Sequence, residues 1–193
     1  MGQSPIDIRR ARPEEARDIA RLVNAAAEGL ALQMWQAYAP GQMDVWAFAA
    51  GFVAERLDAE PYADAWVAVA DGHVVGFLSV RRLPPVAAPS SPEAPAFFAP
   101  VFALGALACD TGYVNMLAVA EDRRGQGIGS ALLTFAERYA GPAGMSLVVT
   151  DCNRGARRLY ERHGYRVTDQ RDIAPDGWDF SANHWLVMRK PPG

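Results

Sequence analysis

Residues 115–133 have the sequence NMLAVAEDRRGQGIGSALL, in which an apolar run is followed by two arginines, three alternating glycines and a second apolar run. The first run predicts a strand, and the apolar spacing of the second predicts a helix. Glycines let backbone N–H groups approach a ligand, and the free N–H groups at the start of a helix attract an anion. Arg123 and Arg124 add positive charge beside them. The stretch therefore predicts a phosphate-binding turn, with a glycine-rich turn that serves only helix–strand packing as the alternative.

Two common phosphate-binding signatures fit this turn incompletely. A P-loop needs Gly-Lys followed by Ser or Thr, and the turn contains no lysine. A dinucleotide fingerprint is closer, because Gly125, Gly127 and the later Asp151 have about the right spacing. However, its third small residue would be Ser130, and too few residues follow for the remaining strands of that fold. A dinucleotide-dependent oxidoreductase is therefore the most distant alternative.

Strand and helix patterns alternate on both sides of the turn. Strands are predicted at residues 6–9, 65–70, 73–80, 113–119, 145–150, 165–173 and 184–189. Helices are predicted from Pro13 to Ala27, from Val45 to Val53 after the N-cap Asp44, over residues 128–139, and over residues 154–163 between the N-cap Asn153 and the stop residue Gly164. This order predicts a single α/β domain over residues 1–193 with a mixed central sheet.

Residues 83–110 interrupt the pattern as a proline-rich, apolar insertion between two strands. Six of the 14 prolines lie between Leu83 and Pro100, and Glu93 is the only charged residue from Leu83 to Cys109. A disordered linker would be more polar, so we expect an ordered flap with a short helix over residues 100–107. A packing insertion or a homodimer contact is the alternative.

Composition and charge restrict the partners. The chain has 193 residues, of which 50% are hydrophobic and 21% charged, with 19 Lys and Arg against 22 Asp and Glu and a net charge of −3. This balance argues against nucleic acid as the main partner, since phosphate binding needs an excess of basic residues. No signal-like or spanning apolar run occurs, which predicts a cytoplasmic protein without a membrane partner. The cysteines and histidines lack ligand spacing, so we expect no metal site.

A second motif follows the turn. Residues 147–165 have the sequence LVVTDCNRGARRLYERHGY, a strand and a helix that end in LYERHGY. RGQGIG at residues 124–129 resembles the Arg/Gln-x-x-Gly-x-Gly/Ala signature of the GNAT superfamily of N-acetyltransferases, and the second motif is similar to that family's strand–helix unit. The two motifs occur in the expected order, joined by the expected helix and strand. The resemblance extends from Tyr113 to Val167.

The resemblance implies acetyl-CoA as co-substrate, in a V between splayed parallel strands at residues 113–119 and 145–150. Backbone groups that would pair with the pantetheine arm belong to Leu117, Ala118 and Val119. The pyrophosphate would be held by Arg124, Gly125, Gln126, Gly127, Ile128, Gly129 and Ser130. Asn153 would hydrogen-bond the pantetheine amide, and Tyr160 would lie near the thioester sulfur.

The chemistry of acetyl transfer is consistent with these roles. Amide formation from a thioester needs an uncharged amine and stabilisation of the oxyanion and of the departing thiolate. A phenol with a pKa of ~10 can donate a proton to a thiolate, which is the role that the resemblance gives to Tyr160. Tyr160 also shares the apolar face of its helix with Ala156 and Leu159, so it could instead be a core aromatic.

The general base is not identified by the sequence. Related enzymes often carry a glutamate on the strand before the glycine turn, where this chain has Asn115. Asp110, Glu28 and Glu55 are carboxylates that could replace it, and the proton could also leave through water. Trp35 and Tyr38 are candidate substrate contacts, and Cys152 is either close to the thioester or a packed thiol.

The function predicted from the resemblance is transfer of an acetyl group from acetyl-CoA to a primary amine, on a small molecule or a peptide, by direct attack in a ternary complex. The apolar segments at residues 30–52 and 97–107 favour an apolar acceptor or a peptide N-terminus, although core packing explains the same residues. The alternative function is an acyl-CoA sensor or regulatory module with little catalytic activity.

Overall fold

The computed structural model describes residues 5–57, 64–86, 99–173 and 181–193, so part of the predicted insertion, residues 87–98, lies outside the described residues. The strands are β1 (Asp7–Arg10), β2 (Ala65–Ala70), β3 (His73–Arg82), β4 (Gly112–Val119), β5 (Met145–Thr150), β6 (Arg166–Asp172) and β7 (His184–Lys190). The helices are α1 (Ala16–Ala26), α2 (Leu30–Tyr38), α3 (Val45–Ala54), α4 (Ala99–Ala106), α5 (Ile128–Ala136) and α6 (Arg154–Arg162).

The strands form one mixed sheet in the order β1-β2-β3-β4-β5-β7-β6. The pairs β1–β2, β2–β3, β5–β7 and β6–β7 are antiparallel, whereas β4 and β5 are parallel, with Gly112–Val114 opposite Met145–Leu147. One or more helices lie between β1 and β2, between β3 and β4, between β4 and β5, and between β5 and β6, which confirms the predicted α/β class. The chain divides into two compact units, one of Met1–Val80 with Met116–Phe135 and the other of Arg81–Asn115 with Ala136–Gly193.

In the first unit, helices pack against the β1-β2-β3 part of the sheet. The predicted apolar face of α1 is buried, with Ile19 and Ala20 fully enclosed, and Phe77 of β3 belongs to the same core. Asp71 and Gly72 turn the chain between β2 and β3 with positive φ angles of 52° and 77°. Both central residues in this conformation match the twist of a hairpin, as the sequence predicted.

The helix α2 was not predicted from the sequence. It begins after Gly29, whose φ is +90°, and the Asn24 side-chain oxygen accepts a hydrogen bond from the Leu32 N–H at 2.8 Å. Gly29 carries no capping side chain, so the usual sequence signal for a helix start is missing. The ring of Trp35 packs against those of Trp46 and Phe52, with ring centroids 6.3 Å and 6.4 Å apart, respectively. Aromatic burial therefore fixes a helix that local sequence does not indicate.

In the second unit, the start of β4 pairs with β5, and β7 and β6 continue the sheet in that order. The helix α4 confirms the short helix predicted over residues 100–107, and its Leu104 is buried with Ala108 and Val187. Asn153 caps α6, because its Oδ1 accepts the Ala156 N–H at 3.0 Å, and Gly164 ends the helix with a φ of +89°. Both helix-boundary predictions are thus confirmed.

Candidate functional site

In the glycine turn of the first unit, the space beside the backbone is free of atoms of the described residues at two glycines. Gly125 and Gly127 have φ angles of +76° and +81°, and a Cβ added to either would meet no atom within 4 Å. The Ala131 N–H donates to the Gly127 carbonyl at 2.9 Å, which closes the first turn of α5. The N–H groups that precede this bond have no intrahelical acceptor, and they lie at the positive end of the helix dipole. The turn therefore has the geometry of an anion-binding site.

The two arginines beside the turn have different surroundings. Arg123 forms ion pairs with Asp71 at 3.3 Å and Asp122 at 3.7 Å, so it links the turn to the β2–β3 hairpin. Arg124 is exposed, and no ion pair or side-chain hydrogen bond involves its guanidinium in the described part of the chain. The Gln126 amide donates to the Asp122 carbonyl at 3.4 Å, which closes the turn on itself. Arg124 is therefore the cation that can reach a ligand without breaking an ion pair.

The end of β4 leads into this turn. Ala118 is buried in the core of the first unit, whereas Leu117 and Val119 are half-buried, which is the alternation of a strand with two different faces. The Ala120 N–H donates to the Val75 carbonyl at 2.9 Å. A Cβ at Gly76 would approach Leu132 to 2.9 Å, so this glycine permits close packing of α5 on β3. Close packing fixes where the start of α5 lies on the sheet.

In the second unit, the side-chain amide of Asn153 is hydrogen-bonded through its oxygen. Its Oδ1 is the N-cap acceptor of α6, and the residue is half-buried. The Nδ2 group makes no hydrogen bond within the described residues. The side chain can therefore cap α6 with its oxygen and, at the same time, donate from Nδ2 to a ligand carbonyl. The sequence predicted a hydrogen bond to an amide without indicating which atom of Asn153 would form it.

Tyr160 lies in a cluster of three tyrosines within the second unit, with Tyr113 and Tyr165. Tyr160 is 7% exposed and Tyr165 is fully buried, and their ring centroids are 6.0 Å apart. Burial, with a smaller contribution from Tyr113, raises the pKa of Tyr160 to about 12. Burial raises the pKa of Tyr113 to about 12 as well, against the opposing charge of Arg81. Tyr160 is therefore protonated at neutral pH, where it can donate a hydrogen bond but cannot act as a base.

The Tyr165 hydroxyl is buried without a hydrogen-bond partner in the described part of the chain. Burial is also the main reason that the pKa of this phenol is raised, with smaller contributions from Glu137 and Tyr160. The sequence indicated Tyr165 only as the residue that ends the second motif, and spacing along α6 cannot reveal that its ring packs against Tyr160.

Asp151 and His184 form a contact that the sequence did not predict. The His184 Nδ1 donates to the Asp151 Oδ2 at 3.1 Å, and the Asn183 N–H donates to the Asp151 Oδ1 at 3.1 Å. The Arg157 guanidinium donates to the Asp151 carbonyl at 3.1 Å. Burial alone would raise the pKa of Asp151, but the hydrogen bonds from His184 and Asn183 outweigh burial and lower it. These bonds hold the chain two residues before Asn153.

We expect Asp151→Asn to lower the free energy of unfolding by about 1–2 kcal/mol at pH 7, because a charged acceptor is lost. The folded-state pKa of Asp151 is lowered, so its stabilisation is complete above the unfolded pKa of about 3.9 and disappears as the pH falls through the folded value. Urea unfolding of the parent protein and the variant at pH 7 and pH 3 measures how much the free energy of unfolding falls at each pH. The control is Asp172→Asn, whose 93% exposed side chain lies 3.4 Å from the other ring nitrogen of His184, so its loss should have the smaller effect of an exposed ion pair. An equal effect of Asp151→Asn at both pH values would contradict the prediction.

The structure separates the other sequence candidates. Trp35 is 1% exposed and belongs to the core of the first unit, so it is not available as a substrate contact, whereas Tyr38 is 56% exposed. The Asp110 N–H donates to Pro84 and its carbonyl accepts from Ala143, both at 3.0 Å, which fixes this residue before the start of β4. Its backbone serves the fold, and within the described ranges no hydrogen bond or ion pair involves its carboxylate.

Three further candidates are Glu28, Glu55 and Cys152, whose positions and contacts are as follows. Glu28 lies between α1 and α2 with a φ of 53°, and Glu55 ends α3 beside Arg56 at 3.7 Å. Cys152 is half-buried, and its thiol lies 3.5 Å from the Thr150 hydroxyl. Among the described residues, no group of three or more His, Cys, Asp and Glu side chains could hold a metal ion, and no helix is both long and apolar enough to cross a membrane.

Comparison with known proteins shows the family. The acetyltransferase (GNAT) family matches residues 31–165. An uncharacterized N-acetyltransferase of Methanocaldococcus jannaschii is 30% identical over 131 residues, which are 66% of this chain and 66% of that protein. The aligned region thus spans about two thirds of this relative's length.

Solved structures share the fold over nearly the whole chain. A crystal structure from Pyrococcus horikoshii OT3 has a TM-score of 0.63 at 18% identity and covers 98% of this chain and 99% of that one. Diaminobutyrate acetyltransferase of Paenibacillus lautus, in complex with L-2,4-diaminobutyric acid and coenzyme A, has a TM-score of 0.56 at 19% identity, covering 96% of this chain and 95% of that one.

These findings confirm the resemblance inferred from the two motifs. The chain belongs to the acetyltransferase (GNAT) family, and thus to a class of N-acetyltransferases. Its mixed α/β sheet is the fold shared with the solved structures.

Proposed function

We propose that this protein transfers an acetyl group from acetyl-CoA to a primary amine, by direct attack in a ternary complex. The amine nitrogen attacks the thioester carbonyl, the C–S bond breaks, and the sulfur leaves as a thiolate that takes up a proton. The excess proton on the amine nitrogen passes to water. The observation that carries this proposal is the open glycine turn at the start of α5, within the region matched by the family.

The first unit supplies the groups proposed to hold the pyrophosphate. Backbone N–H groups around Gly125 and Gly127 and at the start of α5 would donate to its oxygens, and Arg124 would add a charge. The same proposal assigns to this anion site the residues from Arg124 to Ser130. Leu117, Ala118 and Val119 would pair with the pantetheine arm through their backbone groups, as one strand pairs with another.

The second unit supplies the groups proposed to act on the rest of the co-substrate. Asn153 would donate from Nδ2 to a pantetheine carbonyl, while its Oδ1 continues to cap α6. Tyr160 would donate a hydrogen bond to the departing sulfur. Its raised pKa makes complete proton transfer to a thiolate unfavourable, since the pKa of a thiol is near 8.5. We therefore assign Tyr160 to stabilising charge on the sulfur as the C–S bond breaks.

The contrast between the two arginines gives a direct prediction. Arg124→Ala should weaken acetyl-CoA binding about 10-fold, because a charge-assisted hydrogen bond to phosphate contributes about 1.5 kcal/mol. Arg123→Ala should change the affinity less than about 3-fold, because its guanidinium is already paired with Asp71. Titration calorimetry at two salt concentrations measures both, and only Arg124→Ala should reduce the salt dependence. Equal losses from the two variants would contradict the assignment.

Binding assays separate the proposed enzyme from its alternatives. Acetyl-CoA should raise the midpoint of thermal unfolding and NAD should not, because only a ligand of the native state stabilises it. Acetyl-CoA binding followed by thiol release with an amine supports the transferase. Binding without release on amino acids, diamines, polyamines and peptides would favour the sensor, and stabilisation by NAD alone would favour a dinucleotide enzyme.

A further inference from the structure

A basic groove lies on the second unit, outside all the residues assigned above. It has a volume of about 510 Å³ and is lined by Arg158, Glu161 and Arg162 of α6 and by Arg166 and Val167 of β6. The sequence motif in this part of the chain accounts for Tyr160 and Asn153 but gives no role to these arginines. Three guanidinium groups around one open groove require an explanation in a chain whose net charge is −3.

Among the described residues, the lining of this groove has a net positive charge, since three arginines lie beside one carboxylate, that of Glu161. Arg158 and Arg162 are four residues apart on α6, where like charges destabilise a helix. The Glu161 carboxylate, which also lines the groove, lies 4.0 Å from the guanidinium of Arg157, a residue outside the lining. In the portion of the chain that the structure describes, neither Arg158 nor Arg162 forms an ion pair. The Arg166 guanidinium donates to the Glu161 carbonyl at 3.1 Å and to the Tyr165 carbonyl at 2.9 Å, and both acceptors are uncharged. The groove therefore presents a net positive charge that an anionic ligand would compensate.

The strand β6 makes the second wall of the groove and is the last strand of the sheet. It pairs with β7, and six of its seven residues are exposed. Val167 is 42% exposed, which adds an apolar contact to the groove. The edge of a sheet offers N–H and C=O groups to which another extended chain can pair. The acidic residues of β6, Asp169 and Asp172, lie beyond the lining, which includes only Arg166 and Val167 of this strand. The groove thus combines a net positive charge, apolar surface and the start of a strand edge.

We propose that this groove binds an extended acidic peptide segment of a partner protein, which adds as a strand to β6 and directs its carboxylates at Arg158, Arg162 and Arg166. Four residues of a helix rise about 6 Å, and two residues of a strand rise about 6.8 Å. Alternate carboxylates of a strand therefore recur at nearly the spacing of Arg158 and Arg162. A nucleic acid would satisfy the arginines but not the strand edge or Val167, so the combination favours a peptide. This inference does not depend on the proposed acetyl transfer.

The test is fluorescence anisotropy with a labelled peptide of alternating Glu and Val, measured with the full-length chain at about 150 mM salt. Arg158→Gln with Arg162→Gln should weaken peptide binding at least 10-fold and flatten its salt dependence. The thermal midpoint of this double variant should stay the same or rise, because a like-charge pair is removed. The matched control is Arg21→Gln, an exposed arginine of α1 beside Asp18, which should change nothing.

Two further probes decide which ligand is bound. The same peptide N-methylated at alternate residues keeps its charge but loses backbone donors, so it should bind at least 5-fold more weakly. An oligothymidylate of equal charge should bind more weakly than the peptide. No peptide binding, or binding that the double variant leaves unchanged, would overturn the proposal. Equal binding of the N-methylated peptide would exclude strand addition, and tighter binding of the oligothymidylate would make the ligand a phosphate polymer instead.

Discussion

Gly127→Asp should remove most of the affinity for acetyl-CoA while the protein remains folded. Gly127 has a φ of +81°, a conformation that Asp tolerates better than most side chains, and no atom lies within 4 Å of an added Cβ. The new carboxylate would lie beside the proposed pyrophosphate. At about 5 Å and an effective dielectric constant of about 20, two like charges repel by about 3 kcal/mol, which corresponds to a loss of about 100-fold.

Gly127→Asn is the matched control, since Asn has the size of Asp, tolerates the same φ and carries no charge. It should lower the affinity much less than Asp does, and circular dichroism should show both variants folded. Titration calorimetry with acetyl-CoA measures the difference. If Asp and Asn weaken binding to the same extent, the turn does not hold an anion and the pyrophosphate assignment is wrong.

Tyr160→Phe should lower turnover about 100-fold and change the affinity for acetyl-CoA less than about 3-fold, because the lost donor acts on the sulfur only as the bond breaks. The ring stays in place, so the core of the second unit is preserved. The measurement is kcat from thiol release at saturating acetyl-CoA, compared with Kd from calorimetry. The high pKa of Tyr160 predicts no loss of rate by ionisation of this phenol below about pH 11.

Tyr165→Phe provides the internal comparison. Its hydroxyl is buried and, among the described residues, has no hydrogen-bond partner. Removing it should leave turnover unchanged and stabilise the protein by about 1 kcal/mol, which raises the thermal midpoint by about 2–4 °C for a chain of this size. A loss of turnover equal to that of Tyr160→Phe would show that the tyrosine cluster as a whole, and not the Tyr160 hydroxyl, supports the reaction.

The fold was predicted from local signals wherever those signals were strong. Asp44 and Asn153 were predicted as N-caps, and both accept the expected backbone hydrogen bonds. The Asp71–Gly72 hairpin was also predicted. The helix α2 was not, because it starts without a capping side chain and is held by the packing of Trp35. That packing depends on Trp46 and Phe52 of another helix, which no local pattern reveals.

At the candidate site, the backbone conformation of the glycine turn could be predicted from residue type. Gly125 and Gly127 were singled out as glycines, and both have positive φ. The difference between Arg123 and Arg124 could not be predicted, since it depends on Asp71 of a distant hairpin. The contact between Asp151 and His184 could not be predicted either, because the two residues are distant in sequence and are brought together by the pairing of β5 with β7.

The most direct test of the proposed function is simultaneous measurement of thiol release and acetylated product by mass spectrometry, with acetyl-CoA and a panel of amino acids, diamines and peptides. We predict that at least one amine is acetylated in a one-to-one ratio with thiol released, that Gly127→Asp suppresses both signals at limiting acetyl-CoA, and that Tyr160→Phe suppresses both at saturation. Acetyl-CoA binding with no acetylated amine in the whole panel, or thiol release by hydrolysis alone, would contradict the assignment of this chain as an amine acetyltransferase.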